Sequence, residues 1–434
     1  MALAQRLGRP VAIATLLGRA VMPAPFRVPG FGGLWVSASS ASFARIITQL
    51  ALSWVTLEVT GSPFMVGVVS ATRMAPQLVF GIPAGALADS MDRRLMILLA
   101  NGFGVVLLLV MAALSAGGLL TAPVLIAVSV LFGIVDTVRM AASQAHAYDL
   151  VRASKATSGM ALTNLGGQLF GTLGGLAGGY AWERFGGPST FGIVAVAMCL
   201  AACAPYFQLR GSLPPVQATA SPGEPVAPVT PRPAARRAPV DFRRALTLVT
   251  RNRMLAILAL SIILAEIFGF ATQTLLPTFA RDVFDVGAGG LGVMMAVRSA
   301  GGTLGLLVLS QLGSEGRSGL VFVSTAALFG VALFLFTLSP VYSLALVLLA
   351  LSGFGASVMD TLGQTLLQRN ANERERGAAM GLWVFSVGFG PVGHLALGAA
   401  ADSFGAPATQ AVSGVLLTVV AAGMALHAPL RRAR

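Results

Sequence analysis

The stretch LVFVSTAALFGVALFLFTL, residues 320–338, runs through the chain without a single charged side chain. As a helix rising about 1.5 Å per residue it covers roughly 28 Å, close to the thickness of a bilayer's hydrocarbon core. Outward from it in both directions lie eleven more runs of this kind. They fall at about 35–57, 64–88, 95–116, 123–142, 158–181, 188–209, 254–280, 291–312, 341–363, 378–401 and 410–427. The predicted fold is therefore all-α and integral to a membrane, with twelve transmembrane helices. An even number of crossings places both termini on one side.

Composition agrees. The chain has 434 residues, 56% hydrophobic and only 10% charged, with a mean hydropathy of +0.81. A soluble domain carries about 25% charged residues, so an ordinary water-facing protein is excluded. The net charge of +13 would point to nucleic acid on a soluble chain, but here its distribution decides. Of the 29 basic residues, 23 fall in the loops and tails on the N-terminal side, and only Arg184 and Arg281 on the other. By the positive-inside bias both termini are predicted cytoplasmic, in the plasma (inner) membrane. Nucleic acid is not needed as a partner. Cys199 and Cys203 read as small apolar fillers on one helix face.

One connection is unlike the rest. After the sixth run, PPVQATASPGEPVAPVTPRPAARRAP reads as an extended linker, followed at 241–253 by a short basic amphipathic segment. The expected layout is a lead-in at 1–33, a six-helix bundle at 34–209, the linker at 210–253, a second bundle at 254–428 and a tail at 429–434. The bundles resemble each other. VGVVSATRMA at 66–75 matches LGVMMAVRSA at 291–300, aligning Arg73 with Arg298, and SGMAL at 158–162 falls on AAMGL at 378–382. Each match pairs a span with the one six later, the pattern of a transporter built from two repeats with its site between them.

Between the second and third runs stands GALADSMDRR, with Gly85, Asp89, Arg93 and Arg94. A glycine there allows close helix approach. A carboxylate at a helix C-terminus faces the wrong end of the dipole and needs an outside partner. This motif and the six-plus-six layout resemble the major facilitator superfamily, whose loop signature is G-x-L-A-D-r-x-G-R-K/R. Ser90 replaces the usual basic residue and Asp92 the usual glycine. TGSPFMVGVVSA at 60–71, LPTFARDVFDVGAGGLGVM at 276–294 and AYDLV at 147–151 resemble its enterobactin-exporter and macrolide-efflux branch, over roughly residues 30–427. In span five, Gly175 stands where exporter-type relatives often carry proline. The resemblance implies two pseudo-symmetric six-helix bundles. It also implies that Asp89 and the following arginines bridge the halves on the cytoplasmic side and help hold the outward-facing state.

Ionisable residues inside the spans are the next signal, because each costs about 2.5–3.5 kcal/mol at mid-span even on the lenient insertion scale. Arg45 in span one and Glu266 in span seven, equivalent elements of the repeats, are expected at similar depth lining a central cavity. Glu266 is the candidate proton carrier, and a fixed ion pair with Arg45 is the alternative. Arg73 and Arg298 either attract an anionic substrate or pair with Glu58, Asp282 and Asp285 as an outer gate. Asp136 and Arg139, three apart on one helix, can neutralise each other. Asp360 is expected to be paired near the cytoplasmic end. Asn164, Gln168 and Gln273 can hydrogen-bond substrate or neighbouring helices, and His394, just after Gly390-Pro391, either titrates or packs.

No H-E-x-x-H or P-loop motif is present. ALSG at 350–353 lacks the first glycine of an intramembrane serine-protease motif, so no enzyme and no cofactor or metal is expected. The reading is a monomeric secondary transporter in the lipid bilayer, moving an amphipathic small molecule outward against protons. An importer or uniporter of a nutrient or siderophore is the alternative within transport, and a non-transporting scaffold using the linker is the alternative outside it.

Overall fold

The computed structural model describes residues 26, 28, 30–207, 250, 252–311, 318–372 and 375–426. The linker, the lead-in and the C-terminal tail expected from sequence lie outside these residues, apart from their edges. Among the described residues every regular element is helical.

Among the described residues ten segments are long and apolar enough to cross a membrane, and two observations reconcile ten with twelve. The segment Leu162–Pro205 has 44 residues, about 66 Å as a straight helix, enough for two crossings. Gly186 sits inside it at φ 76, a left-handed turn that glycine adopts without steric penalty, and this marks where the fifth span returns as the sixth. The helix Phe31–Thr60 is the first span. It falls short on hydropathy because it buries Ser37, Ser39, Ser40 and Thr48 inside the protein, and a helix lying among helices needs less apolar surface than one facing lipid.

The helices begin and end where their sequence says. Ser62 caps Pro63–Ser90, accepting from the Met65 amide, with Pro63 at the start of the helix, a position whose missing N–H costs nothing. Gly61, at φ 64, closes the preceding helix, the left-handed stop that glycine favours. Asp92 caps Arg93–Ala116 through the Arg94 amide. The remaining spans are Ala122–Ala147, Arg253–Val283, Gly287–Gln311, Ser318–Thr337, Tyr342–Arg369, Ala378–Phe404 and Ala406–Leu426. Spans four, five and six follow one another in a single helical run, Ala122–Phe207, interrupted by the left-handed turn at Gly186.

Spans seven and eleven are broken near mid-depth. Span seven is α-helical to Phe268, then a 3₁₀ turn over Phe270–Leu275, then a π turn over Phe279–Val283. Pro277 lies between the two turns and has no N–H to continue the ladder. Span eleven stops at Val387 and restarts at Gly390-Pro391.

Two pairs of helices reproduce the internal repeat. A Cβ at Gly133 in span four would run into the Arg73 carbonyl of span two, and a Cβ at Gly353 in span ten into the Arg298 carbonyl of span eight. The same arginine backbone meets the same glycine in each half.

The end where the first helix begins and the last one ends is the terminal face, and the opposite end is the far face. The hydrophobic core is divided unequally between them. Toward the far face one continuous cluster joins both halves, running from Leu50, Leu108 and Phe191 to Phe279, Leu291 and Leu349. Toward the terminal face the described residues form two separate clusters. One, around Leu258, Phe322 and Leu366, belongs to the second half, and the other, around Leu34, Ile97 and Ala142, to the first. Among the described residues the halves are packed together on the far side and carry separate cores on the other.

Candidate functional site

The far-side closure rests on two helix crossings. Spans five and eight approach so closely that a Cβ at Gly179 would stand 2.7 Å from the Ala288 carbonyl oxygen and 2.9 Å from the Gly292 Cα, and one at Gly292 would collide with the Gly175 carbonyl. Thr172 and Ser299 share a 3.0 Å hydrogen bond along the same seam. Spans two and eleven cross likewise, with Gly67 against the His394 carbonyl and Gly398 against Pro63. At the far rim Asp402 ends span eleven and accepts from Ser62 Oγ at 2.7 Å and from the Phe64 amide at 3.1 Å. It thus caps the positive N-terminus of a helix in the other half. Arg281 adds a bond to the Leu57 carbonyl at 2.9 Å. A cleft of about 580 Å³ lined by Ser62, Thr278, Asp282 and Asp402 is the outer surface of this latch.

Asp402→Ala removes both cross-half bonds. Discounted for exposure, they are worth about 1 kcal/mol together, so far-side opening is expected to become about fivefold more frequent. The alkylation rate of a cysteine introduced at Thr278 measures it, and an unchanged rate would show that Asp402 holds nothing shut.

At mid-depth the ionisable residues sort by half. In the first half, Asp136 Oδ2 accepts from Arg73 Nη2 at 3.0 Å and Oδ1 from Arg139 Nη2 at 3.1 Å. Arg73 also lies over the Phe132 ring, 5.8 Å from its centroid, a cation–π contact. Arg45 makes no hydrogen bond or ion pair among the described residues, but Asp136, Arg73 and Arg139 are its electrostatic neighbours. In the second half Glu266 is buried, only 6% exposed. Its charged neighbour is Asp360, whose Oδ1 accepts from Trp383 Nε1 at 3.3 Å. Gly390 separates Glu266 from Met74 of the first half.

Two of the alternatives left open by the sequence are not seen among the described residues. Arg45 and Glu266 do not form an ion pair. Arg73 does not pair with Glu58, Asp282 or Asp285 as an outer gate: Glu58 accepts from Trp54 and Asp282 pairs with Arg281. Span four brings Asp136 to Arg73 first, which sequence spacing alone cannot show. The mutual pairing of Asp136 and Arg139 is present. Arg298 has no hydrogen bond or ion pair among the described residues, and Asp360 rests on an indole rather than on a cation.

The uncharged candidates divide. Gln273 meets Gln49 across the halves at 3.3 Å, Asn164 is exposed and Gln168 half-buried. The His394 Nδ1 shares a hydrogen bond with Thr274 Oγ1 of the same half. In the loop motif, Asp92 adopts φ −61 as a helix cap, so the usual glycine is not required there. Arg93 donates to the Ala145 carbonyl at 3.1 Å within its own half. The side-chain surroundings of Gly85 and Asp89 lie outside the described residues. Sequence reasoning missed Asp402, Gln49 and Trp383. Asp402 alone left a trace: Ala401-Asp402-Ser403 closes span eleven as Ala88-Asp89-Ser90 closes span two.

The family model described as Major Facilitator Superfamily matches residues 34–390 and 258–434. The chain is 25% identical over 379 residues to the staphyloferrin A transporter of Staphylococcus aureus (strain NCTC 8325 / PS 47), covering 85% of this chain and 89% of that one. It is 31% identical over 152 residues to the enterobactin exporter EntS of Salmonella choleraesuis (strain SC-B67), covering 35% of this chain and 36% of the relative. Among solved structures, it superimposes with a TM-score of 0.73 at 14% identity on a bacterial homolog of the human lysosomal transporter Spinster, described as inward-facing and unoccupied, over 94% of this chain and 98% of that one. A second is the nucleoside transporter NupG, with a TM-score of 0.67 at 16% identity over 93% and 99% of the two chains.

Proposed function

Because the chain belongs to the major facilitator superfamily, whose members are secondary transporters and not enzymes, we propose that it exports an amphipathic small molecule of the drug, macrolide or siderophore class in exchange for protons. The observation that carries this reading is the uneven core: fused across the halves on the far side, divided on the terminal side, with ionisable groups at the level between. Such a protein exposes a midplane site to one side at a time by rocking its halves. The siderophore class draws support from the two relatives named above. With the basic loops inside, the termini are cytoplasmic, the protein lies in the plasma membrane, and the site here faces the cytoplasm. Glu266 is the proton carrier in this reading, since it is buried at the junction of the halves and has no cation beside it among the described residues.

A gradient is the energy source. One proton moving down about 150 mV yields roughly 3.5 kcal/mol, enough for a substrate gradient of a few hundredfold. In everted vesicles with an acidic lumen, an antiporter facing this way drives substrate into the lumen as protons leave. The expected result is proton-dependent uptake that collapses with a protonophore. Proton-driven efflux from the same vesicles would mean import, and an absence of flux alongside a phenotype for deleting 210–253 would mean a scaffold.

A further inference from the structure

The repeat holds in backbone contact and breaks in charge. Arg73 and Arg298 occupy equivalent places, each with its carbonyl against a glycine, Gly133 or Gly353. Three residues beyond those glycines the first half has Asp136 and the second has Ala356. Arg73 therefore has a carboxylate, and Arg298 has none among the described residues.

Even in the first half the carboxylate does not suffice. Asp136 is bound through one oxygen by Arg73 and through the other by Arg139, while Arg45 is its electrostatic neighbour without a hydrogen bond to it. Three guanidinium groups around one carboxylate leave two formal positive charges at mid-span. Arg73 Nη1 and Arg139 Nε are buried donors with no hydrogen-bond partner among the described residues, and an unmet charged donor is strongly unfavourable in a dry interior. Glu266 does not supply the acceptor, because its charged neighbour is Asp360. A planar guanidinium with free N–H groups matches an oxyanion better than any other ligand chemistry.

We infer that the transported molecule carries an oxyanion, a carboxylate or a phosphate, received by Arg45, Arg73 and Arg139 on the first half and by Arg298 on the second. This rests on the reading of the midplane as a transporter's substrate site, and is independent of direction and coupling ion. An anion bridging the two halves would offset the unpaired positive charge on both of them at once.

Equilibrium binding to the purified full chain in lipid nanodiscs tests it, using dansyl probes that differ only in head group: carboxylate, phosphate, neutral amide and trimethylammonium. At least one anionic probe is expected to bind about tenfold more tightly than the amide or the cation, the usual scale for a charge-assisted hydrogen bond. Which anion leads identifies the head group. Arg45→Gln and Arg298→Gln should each lose about that tenfold, whereas Asp136→Asn, which removes the competing carboxylate, should tighten anion binding. Unchanged amide binding certifies that each variant is folded. The inference is overturned if the amide or the cation binds as well as both anions, or if the two glutamine variants keep the anion preference. Proton coupling does not enter this measurement, so its failure and the failure of the antiport assay are separate results.

Discussion

Leucine in place of Gly292 is expected to lower transport by about tenfold or more while leaving each half folded. The reason is geometric. Gly292 faces the backbone of span five, where a Cβ alone would meet the Gly179 Cα at 2.8 Å and collide with the Gly175 carbonyl. Backbone cannot rotate aside as a flexible side chain can, so the added isobutyl group must push spans five and eight apart. That seam is part of the far-side closure, and a transporter that cannot close one face cannot complete its cycle. The cores around Leu258 and Leu34 belong to single halves and are untouched. Spin labels at Leu119 and Leu338, exposed far-face residues of the two halves, read the result in a background without Cys199 and Cys203. The interspin distance should lengthen in Gly292→Leu, and a wild-type distance with wild-type flux would show that the close crossing is incidental. Gly292→Ala is the graded control, with a smaller effect in the same direction.

Glu266→Gln has the second large expected effect. Glutamine keeps the size and hydrogen-bonding capacity of the side chain and removes its ability to carry a proton. If Glu266 carries the coupling proton, accumulation driven by a pH gradient should fall from a few hundredfold to near equilibrium. Downhill exchange of substrate should persist, because the arginines on the other half are unaltered. The two fluxes are compared in one vesicle preparation. A Glu266→Gln protein that retains pH-driven accumulation would remove Glu266 from the proton path. Asp360→Asn separates the neighbouring carboxylate, which is held by Trp383 and is expected to matter less.

Much of the fold was legible because lipid imposes a simple rule. Runs of about twenty apolar residues and the breaks between them yield the spans, and arginine on one side yields an expected orientation, with no tertiary knowledge. Helix ends at Gly61, Ser62 and Asp92 follow from local capping chemistry, which also belongs to neighbouring residues. The sites were less legible. Asp136 and Arg139 are three apart on one helix, and their pairing follows from helical periodicity. Arg73 is 63 positions from Asp136, and no local pattern says that span two packs on span four at that height.

The sequence by itself determined that this chain is a two-repeat helical membrane protein and set the expectation of which charges fall inside its spans, because hydropathy and charge bias act residue by residue. Only the tertiary structure decided which charges meet. It gathered Arg45, Arg73 and Arg139 around Asp136, left Arg298 without a carboxylate among the described residues, and set Asp402 on the start of span two. Those outcomes depend on how glycine-lined helices cross. A crossing is fixed by the shape of two surfaces together, which neither sequence segment contains alone.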